Sequence, residues 1–409
     1  MLTRRDFITN GTALVTLGAA VPGVFRRAVT AGVLDGVTSA VSPGKTLIVV
    51  QLAGGNDGLN TVIPYADGAY RAARKTIGVP EEQIVRLDDR IGLHPKLAAL
   101  KQLWDAKQLA IVEGVGYPDP NLSHFTSMHI WQTASPDGKL LGGWVGKYLD
   151  GLERHQHDPF HGFNVGAAVA PEMTTGATPM PAVANVQEYQ PRFGAGADGQ
   201  QKEQALLKLY EAYPKAAPYA ALLETTLDDV MTTSKQVQSA ASTYKPAVPY
   251  SKDPFGSGLQ LLAEVVASEP SLRVGHITLG GFDTHADQGP TQERLLDMLA
   301  NGLVAFMKDL EAHGKAEDVV VMTWSEFGRR VQENASEGTD HGTAAPLFVL
   351  GKAVRGGTYG EPPSLTNLDF GNLRFTTDFR GVYATLMEKW LQAPSGTILG
   401  GQFPTLGFL

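Results

Sequence analysis

Five apolar runs, each bounded by glycine or polar residues and separated by helical segments, constrain the fold of this chain more than any other feature. They occupy residues 46–58, 109–118, 272–281, 318–328 and 346–351. Runs rich in β-branched residues that end in glycine are typical of buried strands. Strands that alternate with helices indicate βαβ units and a mostly parallel sheet covered on both faces. We therefore predict a doubly wound α/β fold with helices on both faces of the sheet.

The interval from about 155 to 255 has a different character from the rest of the chain. A Gly- and Pro-rich stretch at 159–194, which is expected to contain β-strands, leads into two helical segments, at 200–215 and 218–243. This pattern predicts a cap or insertion within a single large domain that spans residues 41–409.

The N-terminus carries the signature of an export signal. Arg4 and Arg5 precede an apolar run from Thr12 to Phe25 that glycine and proline interrupt. A paired arginine before a short apolar run is typical of a twin-arginine signal, whereas a buried N-terminal helix would not be broken in this way. We expect residues 1–40 to form the signal and linker, the twin-arginine translocase to be a partner during export, and the mature protein to be periplasmic or secreted without a stable membrane span.

Charge and composition exclude several kinds of chemistry. The net charge of -8 argues against a nucleic-acid partner, because such binding needs clustered Lys and Arg. The chain has no cysteine, so disulfides, thiolate metal sites and cysteine nucleophiles are absent. A metal ion would have to be held by His, Asp, Glu and hydroxyl groups.

Polar residues follow each predicted strand at the point where ligands bind to open parallel sheets. The candidates at these strand ends are Asn56, Asp57, Ser123, His124, Thr126, His129, Asp283, His285, Ser325, Glu326, Arg329, Asp340 and His341. Each alone has a simpler explanation, since Asp in a glycine loop is often a turn residue and Ser before a helix is often its cap. Because carboxylates and imidazoles recur at one edge, the set favours a divalent ion such as zinc, manganese or calcium.

Six motifs occur in order along the chain: LAGGNDGLN, GLHPKLAALKQLW, NLSHFTSMHIWQTA, GGFDTH, WSEFGRR and GTDHGTAAPLFVLG. Together they resemble domain-of-unknown-function family 1501, exported proteins related to the alkaline phosphatase and sulfatase superfamily. The resemblance spans roughly residues 45–400 and implies an alkaline phosphatase-like fold.

The resemblance also implies roles for individual residues. Asp57 matches a metal ligand after the first strand, and Ser123 matches the nucleophile at a helix start. Asp283, His285 and His341 match the ligands of another metal.

The superfamily's acidic residue and histidine after a further strand align with Glu326 and Phe327. Glu326 is therefore expected to be a metal ligand, while the phenyl ring replaces an imidazole and puts a complete second metal site in question.

These observations favour a metal-dependent hydrolase that acts on phosphate or related esters, in a small molecule or a polymer. Arg329 is suited to hold a tetrahedral anion, although an ion pair with Glu326 is an equal alternative. Thr126 is the reserve nucleophile, and His124 or His129 could replace the missing imidazole.

Several rival functions fit the sequence less well. The segment around Ser123 lacks the sulfatase C/S-x-P-x-R pattern, and AGGNDG does not meet the dinucleotide G-x-G-x-x-G spacing. No nucleophile elbow, G-x-S-x-G, occurs. The remaining alternative is an exported binding or assembly protein that keeps the fold without turnover.

Overall fold

The computed structural model describes residues 44–153, 157–174, 180–189, 196–211 and 220–409. The predicted export signal and its linker, residues 1–40, lie outside the described residues.

The strands of the described residues form a large central sheet and a small one. In chain order they are β1 (Thr46–Ala53), β2 (Val62–Ile63), β3 (Val85–Arg86), β4 (Gly92–Leu93), β5 (Leu109–Gly116), β6 (Gly162–Val165), β7 (Ala182–Val183), β8 (Val274–Gly280), β9 (Val319–Trp324), β10 (Ala345–Leu350), β11 (Gly357–Tyr359) and β12 (Thr377–Asp378).

The α-helices of the same residues connect these strands. They are α1 (Gly58–Thr61), α2 (Gly68–Ala73), α3 (Lys101–Asp105), α4 (His124–Thr133), α5 (Trp144–Glu153), α6 (Gly196–Glu211), α7 (Ala220–Thr243), α8 (Pro254–Ser268), α9 (Gln288–Ala312), α10 (Phe379–Thr385) and α11 (Ser395–Leu399). Short 3-10 helices occupy Glu81–Gln83, Pro95–Leu100, Pro171–Met173 and Ala316–Asp318, and a π-helical turn occupies Leu386–Trp390.

The central sheet is mixed but mostly parallel, as predicted. Its strand order within the described residues is β11-β5-β10-β9-β1-β8-β6-β7, and β12 also pairs with β5. β1 pairs in parallel with both β8 and β9, while β10 is antiparallel to its neighbours β9 and β5. The carboxyl ends of β1, β5, β8 and β9 therefore meet at one edge of the sheet, where β10 begins.

Helices cover both faces of this sheet, which explains why β1 reads as an unbroken apolar run. Ile48 and Val50 pack in one core with residues of α8 and α9. Leu47 and Val49 point the other way and pack in a second core with α5 and α10. All four side chains are fully buried. A strand buried on both faces needs no polar alternation, so the doubly wound α/β prediction is confirmed.

The segment predicted as a cap or insertion, 155–255, contributes strands to the central sheet in its first half and helices in its second half. β6 pairs in parallel with β8, and β7 pairs in parallel with β6, so residues 162–165 and 182–183 extend the central sheet. The second half is helical, and α7 contacts α8. Part of the first half is thus built into the sheet, and the assignment of the interval as a cap or insertion stays a prediction.

A small antiparallel sheet, β2-β4-β3, is connected to the central sheet through α1, which contacts both β2 and β10. Its own apolar cluster includes Leu59, Ile63 and Tyr70. Among the described residues, no helix is both long enough and apolar enough to cross a membrane.

Candidate metal centre

Asp283 lies in the turn that follows β8 and is held there by a buried arginine. Its Oδ1 accepts a hydrogen bond from Arg329 Nη2 at 2.8 Å. Arg329 is 1% exposed and also donates to the carbonyl oxygens of Gly55 at 2.6 Å and Thr339 at 2.9 Å. Burial acts to raise the pKa of Asp283, but the Arg329 guanidinium outweighs it, so the pKa falls to about 2. The carboxyl group is therefore ionised at neutral pH.

The glycine loop after β1 packs directly against this turn. Gly54 has a φ of 118°, and a Cβ at this position would lie 2.5 Å from the backbone nitrogen of Asp283. Only glycine permits that approach. The GG of the first motif thus brings the β1 and β8 strand ends together.

His124, the first residue of α4, is oriented by a buried glutamate. Its Nδ1 lies 2.7 Å from Glu326 Oε1, and the Glu326 carboxylate also accepts the backbone N–H of Gly54 at 2.9 Å. A carboxylate only accepts, so Nδ1 carries a proton, and the neutral imidazole presents a lone pair at Nε2. That Nε2 is buried without a hydrogen-bond partner and lies 3.4 Å from Asp283 Oδ2.

His341 is also oriented through its Nδ1, in this case by a backbone carbonyl. Its Nδ1 lies 2.8 Å from the oxygen of Leu122, and a carbonyl oxygen can only accept. The neutral imidazole therefore also presents a lone pair at Nε2, 3.3 Å from Asp283 Oδ1.

The ring of Phe327 fills the space behind these two imidazoles. Its centroid lies 4.8 Å from that of His124 and 4.7 Å from that of His341. The phenyl ring thus fixes the backs of the two histidines by packing.

Three acceptors converge on one point. Ligand atoms of His124, Asp283 and His341 all lie within 4.8 Å of one another. Two lone pairs that face a carboxylate repel it unless a positive charge lies between them. A metal ion with bonds of about 2.0–2.2 Å to each ligand fits this separation.

His285 stands at the exposed side of the same cluster. Its Nε2 lies 3.0 Å from Asp283 Oδ1 and 3.0 Å from His341 Nε2. Its Nδ1 lies 3.5 Å from Asp340 Oδ1, and the side chain is 45% exposed. The structure thus brings together Asp283, His285 and His341, the three residues predicted to share an ion.

Asp57, predicted as a metal ligand, is instead part of a buried ion pair. Its two oxygens lie 2.5 Å from Arg74 Nη1 and 3.0 Å from Arg74 Nη2, and Oδ2 accepts from Gln288 at 2.6 Å. The side chains of Asp57 and Arg74 are 1% and 0% exposed. This carboxylate neutralises an arginine and stands outside the cluster.

Glu326 and Arg329 also have positions different from those predicted. The Glu326 carboxylate binds His124 rather than lying among the ligand atoms, and Arg329 pairs with Asp283 rather than with Glu326. Because Arg329 is buried and its donors bind Asp283 and backbone carbonyls, it positions a ligand and does not present a fork to an anion.

Ser123 is exposed at the N-cap of α4, next to His124. Its backbone N–H donates to Asn121 Oδ1 at 2.8 Å, but its side chain does not cap the helix. Its hydroxyl is therefore free of the ordinary structural role of a serine at a helix start. Thr126 and His129 are exposed further along α4.

The sequence ranked His124 only as a reserve, yet it has the most enclosed nitrogen of the centre. Its signal was present in the motif NLSHF, directly after the predicted nucleophile. What distinguishes His124 from the other histidines of α4 is its contact with Glu326, which lies just after the end of β9.

The family model described as "Protein of unknown function (DUF1501)" matches residues 104–372, more than half of the 409-residue chain. The chain belongs to the DUF1501 family. Its motifs NLSHFTSMHIWQTA, GGFDTH and GTDHG, which supply His124, Asp283, His285 and His341, all lie inside the matched DUF1501 region. No curated protein sequence matches this DUF1501 chain.

Solved structures that are similar to this DUF1501 protein share about a tenth of its residues. A protein in the alkaline phosphatase superfamily from Vibrio parahaemolyticus is 11% identical, with a TM-score of 0.39 over 96% of this chain and 78% of that chain. Phosphonate monoester hydrolase of Agrobacterium radiobacter is 10% identical, with a TM-score of 0.36 over 88% of this chain and 78% of that chain. The PsFucS1 sulfatase from Pseudoalteromonas sp. is 11% identical, with a TM-score of 0.37 over 88% of this chain and 68% of that chain.

Proposed function

We propose that this protein is a metal-dependent hydrolase of phosphate or related esters. The proposal rests on the tautomers of His124 and His341, which are set by the groups that accept a hydrogen bond from each ring. Glu326 and the Leu122 carbonyl fix the protons of His124 and His341 on Nδ1, so both Nε2 lone pairs face the ionised Asp283. Three acceptors that converge on one point are suited to hold a cation between them.

The donor set favours zinc or manganese over calcium. Two imidazole nitrogens and one carboxylate oxygen suit the borderline ions, whereas calcium prefers oxygen ligands alone. His285 supplies a further nitrogen at the exposed side. When bound, such an ion lowers the pKa of a nearby hydroxyl and neutralises charge that builds on an ester oxygen.

The side chains and backbone amides around the ion would carry out the remaining steps of the hydrolysis. Ser123 is the nucleophile: its oxygen loses its proton and forms a bond to phosphorus, while the bond to the leaving oxygen breaks and that oxygen takes up a proton to leave as an alcohol. Water then attacks the phosphorus, which releases phosphate and returns a proton to the serine oxygen. The amides of the first turn of α4 favour the anion at this point. Arg329 and Glu326 hold Asp283 and His124 in position.

The test is a panel of chromogenic phosphate, phosphonate and sulfate esters, assayed with the purified protein before and after chelation. We expect turnover of at least one phosphate or phosphonate ester that chelation abolishes and added zinc or manganese restores. Bound metal without turnover of any ester would favour the alternative, an exported binding or assembly protein. Equal turnover before and after chelation would contradict the proposal.

We also propose that the chain is exported by the twin-arginine route. The support is the Arg4–Arg5 pair before the interrupted apolar run. Replacing both arginines by lysine should retain the precursor in the cytoplasm, as fractionation would show. Normal periplasmic accumulation of that variant would contradict this route.

A further inference from the structure

Large apolar side chains are exposed at the sheet edge that holds the metal centre. Within the described part of the chain, the exposed large apolar residues are Leu122, Phe125, Leu141, Phe370 and Phe375. Isolated residues of this kind are ordinary on a protein surface, whereas apolar residues that gather at one place mark binding surfaces. Leu122, Phe125 and Phe375 lie at that sheet edge and are therefore candidates for contact with a ligand.

Leu122 and Phe125 stand on either side of Ser123 and His124 in the chain. The carbonyl oxygen of Leu122 lies 2.8 Å from His341 Nδ1, so the backbone at this point lies against the metal centre. Phe125 belongs to the first turn of α4, and 85% of its surface is exposed. Two large apolar side chains are thus exposed within two residues of the proposed nucleophile.

Phe375 reaches the same edge from a distant part of the chain. A Cβ on Gly116, the last residue of β5, would lie 2.8 Å from Phe375 Cβ and 3.6 Å from Ala344 Cα. Gly116 leads into the segment that carries Leu122, and Ala344 follows His341 by three residues. The exposed apolar residues therefore come from two separate segments that the fold brings to one edge.

The segment that contains Leu122 and Phe125 has no charged side chain to bind a polar substituent. Residues 120–136, which include all of α4, contain no Lys, Arg, Asp or Glu, although these four types make up 19% of the chain. A charged substituent on a substrate finds no ion-pair partner in this segment. An apolar substituent is favoured there, because its contact with Leu122 and Phe125 removes apolar surface of both molecules from water.

We propose that Leu122, Phe125 and Phe375 bind the alkyl or aryl group of an amphiphilic phosphate ester, whose phosphoryl group lies at the metal centre. The inference rests on the proposed hydrolase function and specifies its substrate class. It makes these three residues determinants of specificity, with no part in the bond-breaking steps.

Calorimetric titration of the zinc-equilibrated full chain with methylphosphonate and n-hexylphosphonate tests the inference. Neither compound has an ester bond, so the measurement needs no turnover. We expect n-hexylphosphonate to bind about tenfold or more tightly than methylphosphonate, because its added methylene groups pack against the apolar side chains. Chelation of the metal should weaken the binding of both.

Two variants and a matched control locate the alkyl chain. Phe125→Ser and Leu122→Ser should each lower the ratio of the two affinities by about threefold or more, while methylphosphonate binds as in the wild type. Leu141→Ser removes an exposed leucine from the turn before α5 and should leave the ratio unchanged. Because Phe125 is so exposed, its replacement should not disturb folding.

The possible failures are distinguishable. Equal affinity for the two phosphonates, or an unchanged ratio in Phe125→Ser, would overturn the inference and leave the proposed hydrolase in place. Binding of n-hexylphosphonate that chelation does not affect would place the chain away from the metal and also overturn it. A dimer that dissociates in Phe125→Ser, seen by sedimentation, would assign these side chains to a contact between two copies. Absence of binding by either phosphonate would overturn the proposed function and the inference together.

Discussion

Glu326 Oε1 lies 2.7 Å from His124 Nδ1, and this single contact decides which nitrogen of His124 faces Asp283. The carboxylate keeps the proton on Nδ1 and makes Nε2 a better ligand by increasing the electron density of the ring. Glu326, which is not itself a ligand, thereby controls how strongly His124 can bind a metal ion.

Glu326→Gln should therefore weaken metal binding by roughly 10–100-fold, since an amide loses the negative charge that makes the imidazole more basic. Competition with a chromogenic chelator measures the affinity. Glu333→Gln is the matched control, because the Glu333 carboxylate also accepts backbone N–H groups, from Thr76 and Ile77, but contacts no histidine. Equal affinities in the two variants would mean that Glu326 does not orient a ligand.

Asp57→Asn should destabilise the protein without removing its metal. The change leaves the buried Arg74 guanidinium without its counter-charge, and breaking such a pair costs about 3–5 kcal/mol of unfolding free energy. Denaturant unfolding measures the loss, and metal analysis of the folded protein measures the ion. If folded Asp57→Asn loses its metal, Asp57 is a ligand after all.

Five strands of the central sheet, β1, β5, β8, β9 and β10, were predictable because they are buried and read as unbroken apolar runs. For β6 and β7, only the presence of strands in the stretch 159–194 was predictable, since strands of four and two residues are too short to show a hydrophobic period that fixes their bounds. The antiparallel direction of β10 also leaves no mark on its apolar pattern.

The family resemblance grouped Asp283, His285 and His341, which the structure brings together. The rule that ligands bind at strand ends selected these residues and Asp57 alike. It could not separate Asp57 from them, because an aspartate after a strand looks the same whether its partner is a metal or an arginine. The partner, Arg74, lies in a different element and is brought to Asp57 only by the tertiary fold.

His94 should make stability depend on pH in the acid range. Burial, with a smaller contribution from Lys96, lowers the pKa of His94 from 6.5 to about 4. The unfolded chain therefore takes up a proton more readily than the folded one, so the stabilisation is complete above pH 6.5 and is lost as the pH falls to about 4. The difference corresponds to about 3 kcal/mol.

His94→Asn is the variant that isolates this effect. His94 caps its 3-10 helix by accepting the N–H of Lys96 at 3.2 Å, and asparagine can also cap but does not titrate. Unfolding free energies measured from pH 7 to 4 should fall less steeply in His94→Asn than in the wild type. Identical slopes would show that another group is responsible.

Ser123→Ala tests the nucleophile. If its hydroxyl attacks the ester, the variant should lose nearly all turnover, by about 10³-fold or more as for other covalent mechanisms, while metal content stays at the wild-type level. Thr126→Ala is the control on the same helix and should remain active. Full activity of the Ser123→Ala, Thr126→Ala double variant would assign the attack to water.

The most direct test of the account is the metal content of the purified protein, measured by elemental analysis after equilibration with zinc. The convergence of His124, Asp283 and His341 predicts one tightly bound ion per chain, lost in Asp283→Ala and in His341→Ala but retained in His129→Ala, an exposed histidine of α4 outside the cluster. A wild-type protein that binds no ion, or variants of Asp283 and His341 that keep it, would contradict the central claim.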